Sequence, residues 1–193
     1  EGDHIGGHFL VGLQLFADFT GAVAVPEVGH MAVFLGLGDR KFPDTCLTQE
    51  ELKEDLIRDS KVFHLGSLSL TAEPACGTTF KALEIAKESG CIVSYDPNYR
   101  APLWDSKAAA IAGMRSVLSY VDVMKLSDEE TELLTDKADP KEAAEVLLAK
   151  GVSVVAVTLG ADGALVCTKE GCVTVPGYKA DMVDTTGAGD SFW

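Results

Sequence analysis

The residues with the clearest chemical content are Val183-Asp184-Thr185-Thr186-Gly187-Ala188-Gly189-Asp190-Ser191-Phe192. Two glycines flank an alanine, and a carboxylate follows at once. A backbone so bare can turn successive N–H groups toward one point, which makes a concave anion site where a loop enters a helix. Asp190 would stand beside the bound anion, and no cation within the motif would neutralise it. A carboxylate placed there suits a general base that takes a proton from an attacking hydroxyl. An anion cradle and a base together are the minimum kit for phosphoryl transfer. Taken alone, Gly-Ala-Gly-Asp is more often a tight turn with Asp190 as an N-cap. The dinucleotide pattern G-x-G-x-x-G is absent, because Phe192 takes the third glycine's place, and no G-x-x-x-x-G-K-[ST] occurs.

Three further stretches carry polar groups at the ends of apolar runs. They are Asp96-Pro97-Asn98-Tyr99-Arg100, Ser127-Asp128-Glu129-Glu130, and Thr158-Leu159-Gly160 with Gly163. Each has a plain structural use. Asp-Pro-Asn is a turn signal, and Arg100 can be a surface charge. Acidic residues in a first turn are favoured by the helix dipole, which accounts for Glu130 and its neighbours without a metal. Leu159 to Gly163 reads as an ordinary loop.

The elements that would position these groups follow from periodicity. Helices are predicted over Gln49–Ser60, Glu73–Ser89, Ser106–Tyr120, Asp128–Thr135 and Pro140–Lys150, the last with proline at its start. Apolar strands are predicted over Lys61–Gly66, Cys91–Tyr95, Val121–Lys125 and Val152–Thr158. Ala164–Cys167 and Cys172–Val175 suggest a hairpin around Lys169-Glu170-Gly171. Alternating strands and helices imply an α/β fold with a mostly parallel sheet covered on both faces. In such sheets ligands bind beyond the carboxyl ends of the strands. All four polar stretches follow predicted strands, so they should meet at one edge.

With 193 residues the chain has room for one sizeable core, and its 47% apolar content argues against disorder. A net charge of −14 argues against nucleic acid or an anionic membrane as a partner. Any phosphate site must therefore be local, built from backbone dipoles, a metal or a few basic residues. Cys46, Cys76, Cys91, Cys167 and Cys172 are odd in number and form no C-x-x-C, so they read as reduced, mostly core residues of a cytoplasmic protein. No membrane-length apolar run is present. His64 reads as a strand or core residue, His4, His8 and His30 as surface, and Trp104 as core packing.

Asp184-Thr185-Thr186-Gly187-Ala188-Gly189-Asp190 closely resembles the C-terminal motif of the ribokinase-like (PfkB) sugar kinases. Asp96-Pro97-Asn98-Tyr99-Arg100, Lys125-Leu126-Ser127-Asp128-Glu129-Glu130 and Val157-Thr158-Leu159-Gly160 resemble the same family in the same order. Asp-Pro-Asn-x-Arg followed by Pro-Leu-Trp is most similar to bacterial fructokinases. The resemblance implies a three-layer α/β/α kinase domain over 1–193, with 20–46 the remnant of a small β lid. Val23–Val25 and Met31–Leu37 would be lid strands, and Gly38-Asp39-Arg40-Lys41-Phe42 resembles a lid turn.

It also implies an ATP-dependent kinase acting on D-fructose at its 6-hydroxyl, in a cytoplasmic protein that pairs through its lid as a homodimer. A 2-keto-3-deoxygluconate kinase and an inactive, fructokinase-like interaction protein are the alternatives. Asp190 would be the base and a substrate contact, with Gly187, Ala188 and Gly189 as the anion cradle. Asn98 and Arg100 would face the substrate. Ser127, Thr158, Gly160, Gly163, Gly187 and Gly189 would line the nucleotide. Glu130 would organise Mg2+ through water, and Asp184 and Thr186 match a monovalent-cation (K+) site of some members. Ser127 stands where the family's Asn-x-x-Glu has asparagine. Because the family continues beyond this motif, the expectation is of a longer protein, with residues 1–193 alone inactive.

Overall fold

The computed structural model describes residues 31–33, 45–178, Gly189 and Phe192. Its seven strands form one sheet in sequential order: β1 (Met31–Val33), β2 (Val62–Leu65), β3 (Ile92–Tyr95), β4 (Val123–Ser127), β5 (Val154–Thr158), β6 (Ala164–Thr168) and β7 (Gly171–Val175). β1 to β5 are parallel, and β6 and β7 close the sheet as an antiparallel hairpin. The helices of the crossovers are α1 (Glu54–Arg58), α2 (Ala75–Glu88), α3 (Lys107–Ser116), α4 (Asp128–Thr135) and α5 (Pro140–Ala149).

Alternation along the strands builds the core. Phe63, Leu65, Val93, Tyr95, Met124, Leu126, Val155 and Val157 project to one face and pack with Leu83, Met114, Leu134 and Leu147 of the helices. Side chains of the crossover helices join the strand residues in this one cluster. The intervening residues face the other way and are more polar. His64 Nδ1 meets Ser94 Oγ there at 3.0 Å, so His64 is a strand residue with a polar partner. Asp122 locks the start of β4: its carboxylate accepts from Val93 N–H at 2.8 Å and pairs with Lys87 at 2.9 Å.

Four expectations are corrected. The helix expected over Gln49–Ser60 is broken into a 3-10 turn at Gln49–Glu51 and α1, because Leu52 has extended backbone (φ −67°, ψ 121°). The helix expected to reach Tyr120 stops at Ser116, and a separate 3-10 turn, Leu118–Tyr120, leads into β4. Met31–Val33 is a strand, but it pairs parallel with β2 in the central sheet rather than in a separate lid. Val23–Val25, the rest of Met31–Leu37 and Gly38–Phe42 lie outside the described residues. Finally, Cys167 and Cys172 are not reduced: they form a disulfide. The hairpin register places them directly opposite each other, a proximity that spacing rules for C-x-x-C do not detect. Cys91 is buried, and Cys46 and Cys76 are half-buried thiols.

Candidate active site

Parallel strands end together, so the residues after β2, β3, β4 and β5 gather at one edge. The register pairs Leu65 with Tyr95 and Ser127 with Thr158, and these are the last residues of their strands. Backbone bonds draw the following loops close. Asp96 N–H donates to Leu65 O at 3.1 Å, and Ser67 N–H donates to Pro97 O at 3.2 Å. Asp96 Oδ1 in turn accepts from Asn98 N–H at 3.2 Å, closing an Asx turn that holds Asn98 in the left-handed region (φ 45°).

The centre of this edge is an ion pair that the sequence reading did not identify. Lys125 Nζ lies 2.6 Å from Asp96 Oδ2, and both side chains are only 7% exposed. Lys125 is the middle residue of β4, with Met124 and Leu126 on the opposite face. A buried ammonium is tolerated only when a charge answers it. The available signal was a lysine inside the apolar run Val123-Met124-Lys125-Leu126, which demands such a partner. Gly189 joins the pair. An ideal Cβ at Gly189 would lie 2.8 Å from Lys125 Nζ, so this glycine lies directly against the ammonium. Gly187, Ala188, Asp190, Asp184 and Thr186 lie outside the described residues.

Glu130 is 6% exposed and tied on both oxygens. Its Oε1 accepts from Tyr99 N–H at 2.7 Å. Its Oε2 accepts from Ser127 N–H at 2.8 Å and from Ser127 Oγ at 3.0 Å. The Ser127 pair is a capping box at the start of α4. The Tyr99 bond is long-range and fixes the loop after β3 to the turn after β4. Thus Glu130 has the helix-end role that its position predicts, and it also links two of the motifs. The nearby charges act on Tyr95 as well. Burial first, then the negative charges of Glu130 and Asp96, push its phenol well above the ordinary range. It stays protonated and donates to Met114 O at 3.3 Å.

The remaining candidates are placed less centrally. Arg100 is exposed and has no ion pair among the described residues. Thr158 Oγ1 donates to Leu126 O at 3.5 Å, at the end of β5. Gly160 and Gly163 bracket a 3-10 turn, with φ 57° and φ 100°. A cleft of about 310 Å³ opens beside Tyr99 and Ser127, lined by Glu129, Glu130 and Glu132 with Lys107. Among the described residues no group of three or more His, Cys, Asp or Glu could hold a metal. None of the described helices is long and apolar enough to cross a membrane.

Comparison with known proteins identifies the family. The family model for pfkB family carbohydrate kinases matches residues 41–193. Fructokinase-2 of Solanum lycopersicum is 46% identical over 164 residues, covering 80% of this chain and 50% of the relative. A double mutant of Vibrio cholerae O395 fructokinase, solved with fructose, ADP and potassium ion, is 36% identical with a TM-score of 0.64, covering 68% of this chain and 42% of that one. A ribokinase II of E. coli in complex with ATP and Mg2+ is 27% identical with a TM-score of 0.72, covering 89% of this chain and 54% of that one. The chain thus spans about half the length of the relatives it matches, and its fold is their three-layer α/β fold with a mostly parallel sheet. With most of its length inside the family model, the chain belongs to the pfkB family of carbohydrate kinases.

Proposed function

We propose that the protein is an ATP-dependent kinase that transfers the γ-phosphoryl group to the 6-hydroxyl of D-fructose. The observation that carries this reading is the approach of Gly189 to the buried Lys125–Asp96 pair, at the edge where the other motifs end. In this reading Asp190 accepts the hydroxyl proton as the sugar oxygen attacks phosphorus. The N–H groups of Gly187, Ala188 and Gly189 face the charge that develops on the transferred group. Asn98 and Arg100 contact the sugar, and Ser127, Thr158, Gly160, Gly163, Gly187 and Gly189 line the nucleotide. The fructose- and ADP-bound relative supports the choice of substrate.

Glu130 fits a magnesium ion held through water, not one bound directly, because both carboxylate oxygens already accept hydrogen bonds. Magnesium keeps several waters and neutralises phosphate charge, so one nearby carboxylate is enough. Such neutralisation is needed in a cleft lined by three glutamates and one lysine. Asp184 and Thr186 are assigned to a monovalent cation, in line with the potassium-bound relative. A cytoplasmic homodimer completes the proposal.

A coupled ADP-release assay on the full-length protein tests it. Fructose should give the highest kcat/KM among sugars. A clear preference for 2-keto-3-deoxygluconate transfers the chain to another member activity. No sugar-dependent ADP release at all favours an interaction protein. Glu130→Gln should raise the magnesium concentration for half-maximal activity and also lower the melting temperature. The amide NH2 must then face an N–H donor, at a cost of about 1–3 kcal/mol. A lowered melting temperature with unchanged magnesium dependence leaves Glu130 as a cap and cross-link only.

A further inference from the structure

We propose that Lys125 is the buried cation of the anion site, contacting an oxygen of the transferred phosphoryl group, and that Asp96 positions it. The inference deepens the kinase reading and rests on it. A chain of net charge −14 attracts no phosphate by its overall field. A local positive charge is needed, and Lys125 is the one buried lysine or arginine among the described residues.

An ammonium carries three N–H donors. Asp96 Oδ2 takes one at 2.6 Å, and Lys125 has no second bond among the described residues. A side chain placed only to balance Asp96 would leave two donors buried and unused, which is costly. Nζ lies beside Gly189, and the missing side chain at 189 keeps the space next to it clear: a Cβ would come within 2.8 Å of Nζ. Asp96 is itself fixed by the Asx turn to Asn98, so the ammonium is held on one side by a rigid carboxylate and meets Gly189 on another. In the reaction the bond from the γ-phosphorus to the bridging oxygen of ADP breaks, and a bond to the sugar oxygen forms. The sugar proton passes to Asp190. Lys125 offers two N–H donors to non-bridging phosphoryl oxygens.

The test uses the full-length protein and three forms: wild type, Lys125→Met, and the double variant Asp96→Asn with Lys125→Met. The single variant strands a buried carboxylate and is expected to melt early. The double variant removes both charges and should recover most of the melting temperature. Both variants should lose about 10²–10³ in kcat, the usual effect of deleting one preorganised charge-stabilising donor. Both should also bind ADP with aluminium fluoride about 100-fold more weakly, while affinity for ADP alone stays within about threefold, since a transition-state contact is lost. A double variant with wild-type turnover and wild-type affinity for ADP with aluminium fluoride would make the pair purely structural and overturn the proposal. A wild-type protein that binds ADP with aluminium fluoride but phosphorylates no sugar defeats the fructose-kinase reading, and the binding loss in the variants then decides Lys125. Absence of that binding in the wild type overturns both.

Discussion

Asp190→Ala in the full-length protein is expected to reduce kcat for fructose phosphorylation by at least about 10³, within the upper part of the range for loss of a general base. Affinity for ADP should change by no more than a few-fold. The split follows from what a base does. It takes a proton only as the sugar hydroxyl attacks, so its loss raises the barrier without weakening the ground-state complex. The assignment rests on the order Gly187-Ala188-Gly189-Asp190 and on the position of its third residue. Gly189 lies against Lys125, whose ammonium pairs with Asp96 at the carboxyl edge of the sheet. Steady-state kinetics with a nucleotide-binding titration checks both halves. Turnover within about tenfold of wild type would fall outside the range for a base and remove Asp190 from that role. A joint loss of turnover and ADP affinity would point instead to collapse of the loop.

Much of this arrangement is legible in the linear order of residues, for a physical reason. Parallel sheets need crossovers, and crossovers impose a strand–helix period that survives without tertiary information. Val154–Thr158 and Pro140–Ala149 fall within about two residues of where periodicity places them. Their ends must then share an edge, which is why Asp96, Ser127 and Thr158 could be grouped before any contact was known. What periodicity does not carry is pairing across the sheet. Lys125 and Asp96 are 29 positions apart, and no local rule joins them. The Tyr99–Glu130 bond spans 31 positions and is equally silent, although the capping half of Glu130's role is local and readable. The Cys167–Cys172 bond is a third case. It depends on the hairpin register, which is fixed by the turn and by the core-facing residues together, and not by the spacing of cysteines. Short elements were misjudged where propensity and packing conflict. The charged run after Gln49 has helical spacing, yet only Ile57 of α1 is buried, and too little apolar surface holds a longer helix against the sheet.

The second large effect is expected at Gly163, and it is one of stability. This residue ends the 3-10 turn after β5 with φ 100° and ψ −129°, a conformation closed to residues with a Cβ. Space is closed as well. A Cβ at Gly163 would lie 2.0 Å from Val175 O and 2.5 Å from Gly177 N. Both are backbone atoms, so no rotamer change relieves the contact, and the exit of β7 must move. Gly163→Ala should therefore cost at least about 2 kcal/mol from backbone strain alone. For a domain of this size that lowers the melting temperature by at least about 4 °C. Gly160 supplies the internal control. It has φ 57° in the ordinary left-handed region, and nothing lies within 4 Å of its would-be Cβ. Gly160→Ala should cost only about 1–2 kcal/mol, and Gly160→Asn less, because asparagine visits this region readily. Differential scanning of the three variants separates the terms: equal melting of Gly163→Ala and Gly160→Ala would mean that the Val175–Gly177 backbone yields freely. If it does not yield, strain at 163 is relieved only by parting β7 from the turn. Leu159 N–H donates to Gly163 O at 2.8 Å, so the disturbance passes directly to the end of β5 and Thr158. Nucleotide affinity should then fall in Gly163→Ala along with the melting temperature, which ties the hairpin's close backbone packing to the shape of the nucleotide edge.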